Sequence, residues 1–271
     1  MNLIYSIGMN QSCFFKTHRF TTDCRRLAIG VALQVVCAVG AHAQTPMPDQ
    51  LVGLLGGALY STQSVVVSKG NTLAPLPYAL LDYGRFFARV ETLGVKTVPL
   101  GYGHLELVAR VSLEGFKADT TELRGINDRG NPWPVGIGTF QETPLGALML
   151  NAFYDTTSGG SLLESIYIGK FMLGALPLYP EFGLEWRSAK YVNHLYGVSG
   201  AEAQGSAFSA YTASASTMPW LGLATKMPLA DQWVLSLQWR YKWLDDAIRN
   251  SPLVNVKAQN HAYIAVSYEF K

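Results

Sequence analysis

The sequence predicts an all-β protein, a transmembrane antiparallel β-barrel of the bacterial outer membrane. Three observations predict it: an export leader, an apolar composition that never gathers into one long run, and long stretches of alternating apolar and polar residues.

The leader comes first in the chain. Arg25 and Arg26 precede an apolar run from Leu27 to Ala41, and Ala41 and Ala43 place small residues around His42. A positive segment, an apolar segment and an A-x-A site predict a cleavable signal peptide over 1–43 and a single barrel domain over 44–271, with Met1 or Met9 as the start. The run is too short to span a bilayer, which takes about 20 apolar residues. Cys37 follows Val36 rather than a small residue, which argues against a lipoprotein site. All three cysteines, Cys13, Cys24 and Cys37, precede the cut, so the mature chain is expected to hold no disulfide, thiolate metal site or cysteine nucleophile. The leader also takes four of the 21 Lys/Arg and one of the 19 Asp/Glu, leaving 17 against 18. That balance offers no basic excess for nucleic acid.

Apolar residues make up 49% of the chain and charged residues only 15%, against about 25% charged in ordinary soluble chains. No apolar run after Gln44 approaches the length of a membrane-spanning helix. A closed barrel is the other structure that satisfies every backbone polar group in lipid. Its strands should alternate apolar-out and polar-in. From Trp233 to Trp243 one parity reads Trp233, Leu235, Leu237, Trp239, Tyr241, Trp243, and the other Val234, Ser236, Gln238, Arg240, Lys242. From His104 to Glu114, Leu105, Leu107, Ala109, Val111 and Leu113 oppose His104, Glu106, Val108, Arg110, Ser112 and Glu114. The last strand sets Ala262, Ile264, Val266, Tyr268 and Phe270 against His261, Tyr263, Ala265, Ser267 and Glu269. Alternation this long exceeds the usual soluble strand of about five or six residues.

The pattern predicts strands near 53–66, 73–83, 85–95, 103–115, 137–154, 162–173, 179–191, 211–228, 232–244 and 260–270. Ten strands is the count, with twelve the close alternative if 116–136 hides two more. An even count puts both termini in the periplasm. Asp82-Tyr83-Gly84 and Leu229-Ala230-Asp231-Gln232 then read as periplasmic turns, 192–210 and 245–259 as outer loops, and 116–136 falls on the periplasmic side. Trp220, Trp233, Trp239 and Trp243 are candidates for interfacial aromatic girdles. Arg85, Arg89, Glu91, Glu106, Arg110, Glu114, Glu181, Glu185, Arg187, Arg240 and Glu269 point inward. Both signs are present, so they are expected to pair as a ladder that plugs the lumen.

Several segments together resemble the MipA/OmpV family of outer-membrane proteins. They are Pro75-Leu76-Pro77 with Leu81-Asp82-Tyr83; Leu123-Arg124-Gly125-Ile126-Asn127-Asp128-Arg129; Gln141-Glu142-Thr143-Pro144; Tyr196-Gly197-Val198-Ser199 with Ala201-Glu202-Ala203; Ser251-Pro252-Leu253-Val254; and a closing strand ending in Phe270. They keep family order across the mature chain. Ser61-Thr62-Gln63-Ser64 departs from the acidic, Tyr-containing stretch of many members, and Lys271 follows the closing aromatic. The resemblance implies a scaffold that binds a membrane-bound lytic murein transglycosylase and a penicillin-binding protein on the periplasmic side, coordinating peptidoglycan remodelling. Contacts would lie on the periplasmic turns and 116–136. It leaves open a small-solute pore or a surface adhesin acting through the outer loops. Outer-membrane lipid surrounds the barrel, and the closing strand is the expected signal for the barrel-assembly machinery.

No enzyme is expected. His104, His194 and His261 are followed two residues later by Glu106, Tyr196 and Tyr263, so the His-x-Ser of a barrel hydrolase is missing. The Asp-x-His of an omptin-like protease is also missing, and Asp245-Asp246 reads as a solvated loop pair. Three histidines on separate segments give no metal spacing, and no glycine-rich phosphate loop appears. No cofactor is therefore expected.

Overall fold

The computed structural model describes residues 47–271; the expected signal peptide over 1–43 lies outside the described residues. Thirteen strands form one sheet: β1 (Val52–Thr62), β2 (Thr72–Tyr83), β3 (Phe86–Arg89), β4 (Thr92–Leu100), β5 (Gly103–Arg110), β6 (Pro134–Thr143), β7 (Gly146–Asp155), β8 (Ser161–Ile168), β9 (Phe171–Leu173), β10 (Leu176–Arg187), β11 (Ser216–Ala230), β12 (Trp233–Trp243) and β13 (Ala258–Phe270). Every pairing is antiparallel. β1 pairs with β13 and β10 with β11, so twelve strands close on themselves while β9 pairs only with the start of β10. Closure leaves no strand edge along most of the wall, the condition for crossing lipid.

Twelve is the alternative count, and its two extra strands are not in 116–136. The expected strand 85–95 is the hairpin β3–β4, which turns at Val90-Glu91. The expected strand 137–154 is the hairpin β6–β7, which turns at Pro144-Leu145. Across each two-residue loop the parity switches, because the paired residues i and i+3 share a face: the buried side passes from Phe87 to Thr92 and Lys96 in the first hairpin, and the exposed side from Val135 and Ile137 to Leu148 and Leu150 in the second.

The strand faces sort as the alternation requires. Leu59, Leu107, Ile137, Leu150, Leu163, Phe182, Leu184, Leu223, Trp239, Ile264 and Val266 are exposed on the outside, the surface that lipid covers. His104, Glu106, Glu164, Glu181, Glu185, Ser236 and Ser267 are buried inside. Trp233, Trp239 and Trp243 are exposed, but Trp220 is not a girdle residue. It shares the inner parity of β11 with Met218 and Gly222, and its indole lies across Gly183 of β10, where a Cβ would fall 2.0 Å from the ring.

With both termini at one end, all four long connections gather at the other: 63–71, 111–133, 188–215 and 244–257. Segment 116–136 therefore lies with the outer loops and not on the periplasmic side, since the two extra strands precede and follow it. The outer loops are ordered. They carry helices α1 (Ala189–Tyr196), α2 (Gly200–Gly205) and α3 (Asp246–Arg249). Leu123, Ile126, Val192, Leu195, Tyr196, Val198, Ile248 and Leu253 form one buried apolar cluster with Val65 and Val66. Each fully buried Leu or Ile contributes roughly 1.5–3 kcal/mol, so these connections form a folded cap.

Candidate functional site: the braced lumen and its cap

Alternation aims charges of both signs into the lumen, where each needs a partner. Arg89 of β3 makes a two-pronged pair with Glu106 of β5, at 2.7 and 2.8 Å. Arg110 of β5 reaches Glu91 in the β3–β4 turn and Glu164 of β8, both at 3.1 Å. Arg240 of β12 pairs with Glu181 of β10 at 2.9 Å and lies 4.7 Å from the Trp220 ring. Lys242 of β12 meets Glu185 of β10 at 3.1 Å. Arg187 holds Glu185 at 2.5 Å and also pairs with Glu114, which accepts from the Tyr191 hydroxyl at 2.9 Å. Acids and bases thus span the lumen from wall to wall.

Two of the inward charges stand outside this ladder. Arg85 donates to the Thr97 carbonyl, and Glu269 pairs with Lys271 at the terminal end. Glu164 and Lys242 belong to it although the sequence reading did not name them as ladder members. The parity Leu162, Glu164, Ile166, Ile168 is the signal that points to Glu164.

Below the ladder, toward the termini, a cavity of about 440 Å³ is lined by Leu80, Val90, Met149, Ile166, Tyr179 and Lys226 among others, and reaches the turns at Pro144 and Lys170. The lumen is thus a vestibule on the terminal side, a charged brace across the middle and a cap above.

The cap is where the signature residues meet. Ser199 begins α2 with a capping box: its hydroxyl accepts from the Glu202 N–H, and the Glu202 carboxylate accepts from the Ser199 N–H at 2.9 Å. The same carboxylate accepts from the Asn127 N–H at 3.0 Å and pairs with Arg129 at 2.8 Å. Arg129 also donates to the Gly197 carbonyl at 2.9 Å. Burial alone would raise the Glu202 pKa. The bonds from Asn127 and Ser199 and from the Arg129 guanidinium outweigh it and hold the carboxyl at about 2. Gly125 sits at φ +89°, and a Cβ there would fall 2.0 Å from the Gly205 carbonyl oxygen. Ser251 donates its hydroxyl to the Tyr196 carbonyl at 2.6 Å, at the end of the segment that includes α3.

Arg124, Gly125, Asp128, Arg129, Tyr196, Gly197, Val198, Ser199, Ser251 and Pro252 therefore converge in the cap. Leu81, Asp82, Tyr83 and Phe270 lie at the other end. There Asp82 binds Lys96 at 2.5 Å, and Phe270 pairs with Gly53 and packs on Tyr268. Asp245 is not merely solvated: it caps α3 by accepting from the Ala247 N–H at 2.8 Å. The three histidines stand apart. His104 is buried in β5, His194 contacts the Gly130 carbonyl, and His261 of β13 contacts the Thr62 hydroxyl at 3.3 Å.

Fold and site define an outer-membrane β-barrel with a charge-braced lumen and a folded cap opposite its termini. The model of the family described as MltA-interacting protein MipA matches residues 55–270, and the chain belongs to that family. The MltA-interacting protein of Escherichia coli K12 is 24% identical over 254 residues, 92% of this chain and all of that protein. The putative outer membrane protein YiaT of the same strain is 24% identical over 219 residues, 79% of this chain and 89% of that one. Outer membrane protein Omp26La of Vibrio anguillarum is 32% identical over 98 residues, 36% of this chain and 38% of that one. Among solved structures, OmpT of Vibrio cholerae aligns at 9% identity and TM-score 0.28, over 81% of this chain and 97% of that chain.

Proposed function

We propose that the barrel is a non-enzymatic scaffold of the outer membrane that binds a membrane-bound lytic murein transglycosylase from its periplasmic end and, with it, a penicillin-binding protein. Family membership together with the full-length match to the MltA-interacting protein carries this reading. The periplasmic end supplies the contact surface in this reading. Segment 116–136 is removed from it, because it belongs to the cap. What remains is a rim of short turns carrying exposed apolar residues: Leu145 at 84% exposure, and Phe171, Met172 and Leu173 on the β9–β10 hairpin outside the barrel. Exposed apolar side chains rimmed by polar groups are the usual chemistry of protein contacts.

The signature residues of the cap then serve to seal the outer end, and the closing strand through Phe270 serves as the assembly signal. The barrel, refolded in lipid, should retain a soluble murein transglycosylase of the MltA type on an affinity column. Replacing Phe171, Met172 and Leu173 together by Ser should abolish retention while gel mobility stays heat-modifiable. Equal retention by both proteins would remove the rim from the reading, and retention by neither would remove the scaffold.

A further inference from the structure

The barrel wall has one seam without backbone bonds among the described residues. β2 is 12 residues long and β3 only four, so β3 covers only Leu80–Tyr83 of its neighbour. One further bond, from the Val90 N–H to the Ala79 carbonyl at 2.7 Å, ends the ladder. Above it, among the described residues, no backbone bond joins 72–78 to the facing segment 111–119. What crosses the gap is an ion pair at its upper end, Lys69 to Asp119 at 2.6 Å, with side chains 24% and 61% exposed.

The chemistry of this edge is specific. Backbone groups of alternate residues point to the same side of a strand. Because Ala79 faces β3, residues 77, 75 and 73 face the seam, and two of those three are Pro77 and Pro75, which have no N–H. An incoming strand would find carbonyls but hardly any donors, so the edge rejects strand addition. It is apolar on both faces: Leu73, Pro75 and Pro77 are exposed outside, and Ala74 and Leu76 face the lumen side. Across the seam stand exposed Val111 and Leu113. Leu59 pairs with Pro75 and with Ile264, and both Leu59 and Ile264 are exposed apolar residues of the outer belt. The seam therefore lies at membrane depth, on the half away from the termini.

We infer that the seam between β2 and residues 111–119 is a lateral binding site for a single acyl chain of an outer-leaflet lipid, with the Lys69–Asp119 pair as its latch. The occupant follows from position and chemistry. The site opens sideways into lipid, excludes a strand and presents apolar carbon on both faces. A surface ion pair makes a weak latch that salt or a charge reversal releases. This goes beyond the scaffold reading and does not depend on any partner.

The test uses the full barrel in lipid vesicles. A bimane is attached at Leu76→Cys beside the seam or, as a control, at Met149→Cys on the lumen face of β7. Quenching is read with phosphatidylcholine carrying a nitroxide on its acyl chain, and with aqueous iodide. The seam label should be quenched several-fold more strongly by the lipid than the control, and Asp119→Lys, which sets like charges against each other, should increase that difference. Heat-modifiable mobility of each variant shows that the barrel is closed. Equal lipid quenching at both positions overturns the inference, and the prolines are then only guards against edge pairing. Quenching of the seam label by iodide alone also overturns it, since the seam is then a water-filled cleft.

Discussion

Glu202 shows how one side chain holds two distant segments together. Its carboxylate collects backbone donors from Ser199 and Asn127 and the charge of Arg129, at sites about seventy residues apart in the chain. Arg129→Ala would leave that buried carboxylate without its cation, at a cost of roughly 3 kcal/mol to the cap. Protease cleavage within 111–133 and 188–215 should rise while strand content by circular dichroism is unchanged. A carboxyl held at about 2 contributes stability that is fully present above the ordinary value near 4.5 and is lost as pH falls toward 2. Pepsin cleavage of the cap should therefore climb between pH 4 and pH 2 in the native protein and stay flatter in Glu202→Gln. Gly125 offers a second check. Alanine there meets both a left-handed backbone and the Gly205 carbonyl, and should destabilise the cap by about 1–3 kcal/mol. Of this cluster, the capping box is written locally as Ser199-x-x-Glu202. The pairing with Arg129 is not, because nothing local marks a contact across so many residues.

At the scale of elements, strand faces and the turns after Tyr83 and Ala230 were legible, and the turns of two further hairpins were not. β12, β13 and β5 keep the parity that alternation predicts, since a lipid-facing residue and a lumen-facing residue differ so strongly in environment. The β3–β4 turn escaped because Val90 stands at φ +52° where a hairpin normally uses Gly or Asn. The β6–β7 turn escaped because Pro144-Leu145 carries none of the Asn-Gly or Asp-Gly chemistry that marks a two-residue hairpin loop. Once both hairpins are counted, 116–136 changes ends, so an error of two turns became an error of topology. The β9 hairpin supplies a prediction of its own. β9 lies outside the closed set of twelve, so replacing 172–177 by an Asn-Gly turn, which keeps Leu178 opposite Thr225, should leave heat-modifiable mobility and the unfolding midpoint near those of the native barrel.

For the whole molecule, the ladder decides what the lumen does. Arg110–Glu164, Arg240–Glu181 and Lys242–Glu185 link different strands beneath a cap with its own apolar core. The native barrel should be silent in planar bilayers across salts and voltages. Arg110→Ala combined with Arg240→Ala should introduce small currents, because it removes the two guanidiniums that bridge the centre and leaves carboxylates that draw in water. The sequence displayed the inward charges and their mixed signs. It did not display which acid meets which base, since that depends on how the sheet curls.

The bracing also bears on how the barrel reaches its final form. Most partners in the ladder sit on strands that are not neighbours, so an open sheet would leave Arg110, Glu164 and Glu91 without one another however well its backbone bonds were made. Such a sheet carries a wet, charged face that lipid does not accept. Joining β13 to β1 is then the step expected to dry the interior, and insertion is predicted to follow ring closure rather than strand count. An intermediate lacking its last strand would stop at the membrane surface, held there by the same charges that stiffen the finished wall.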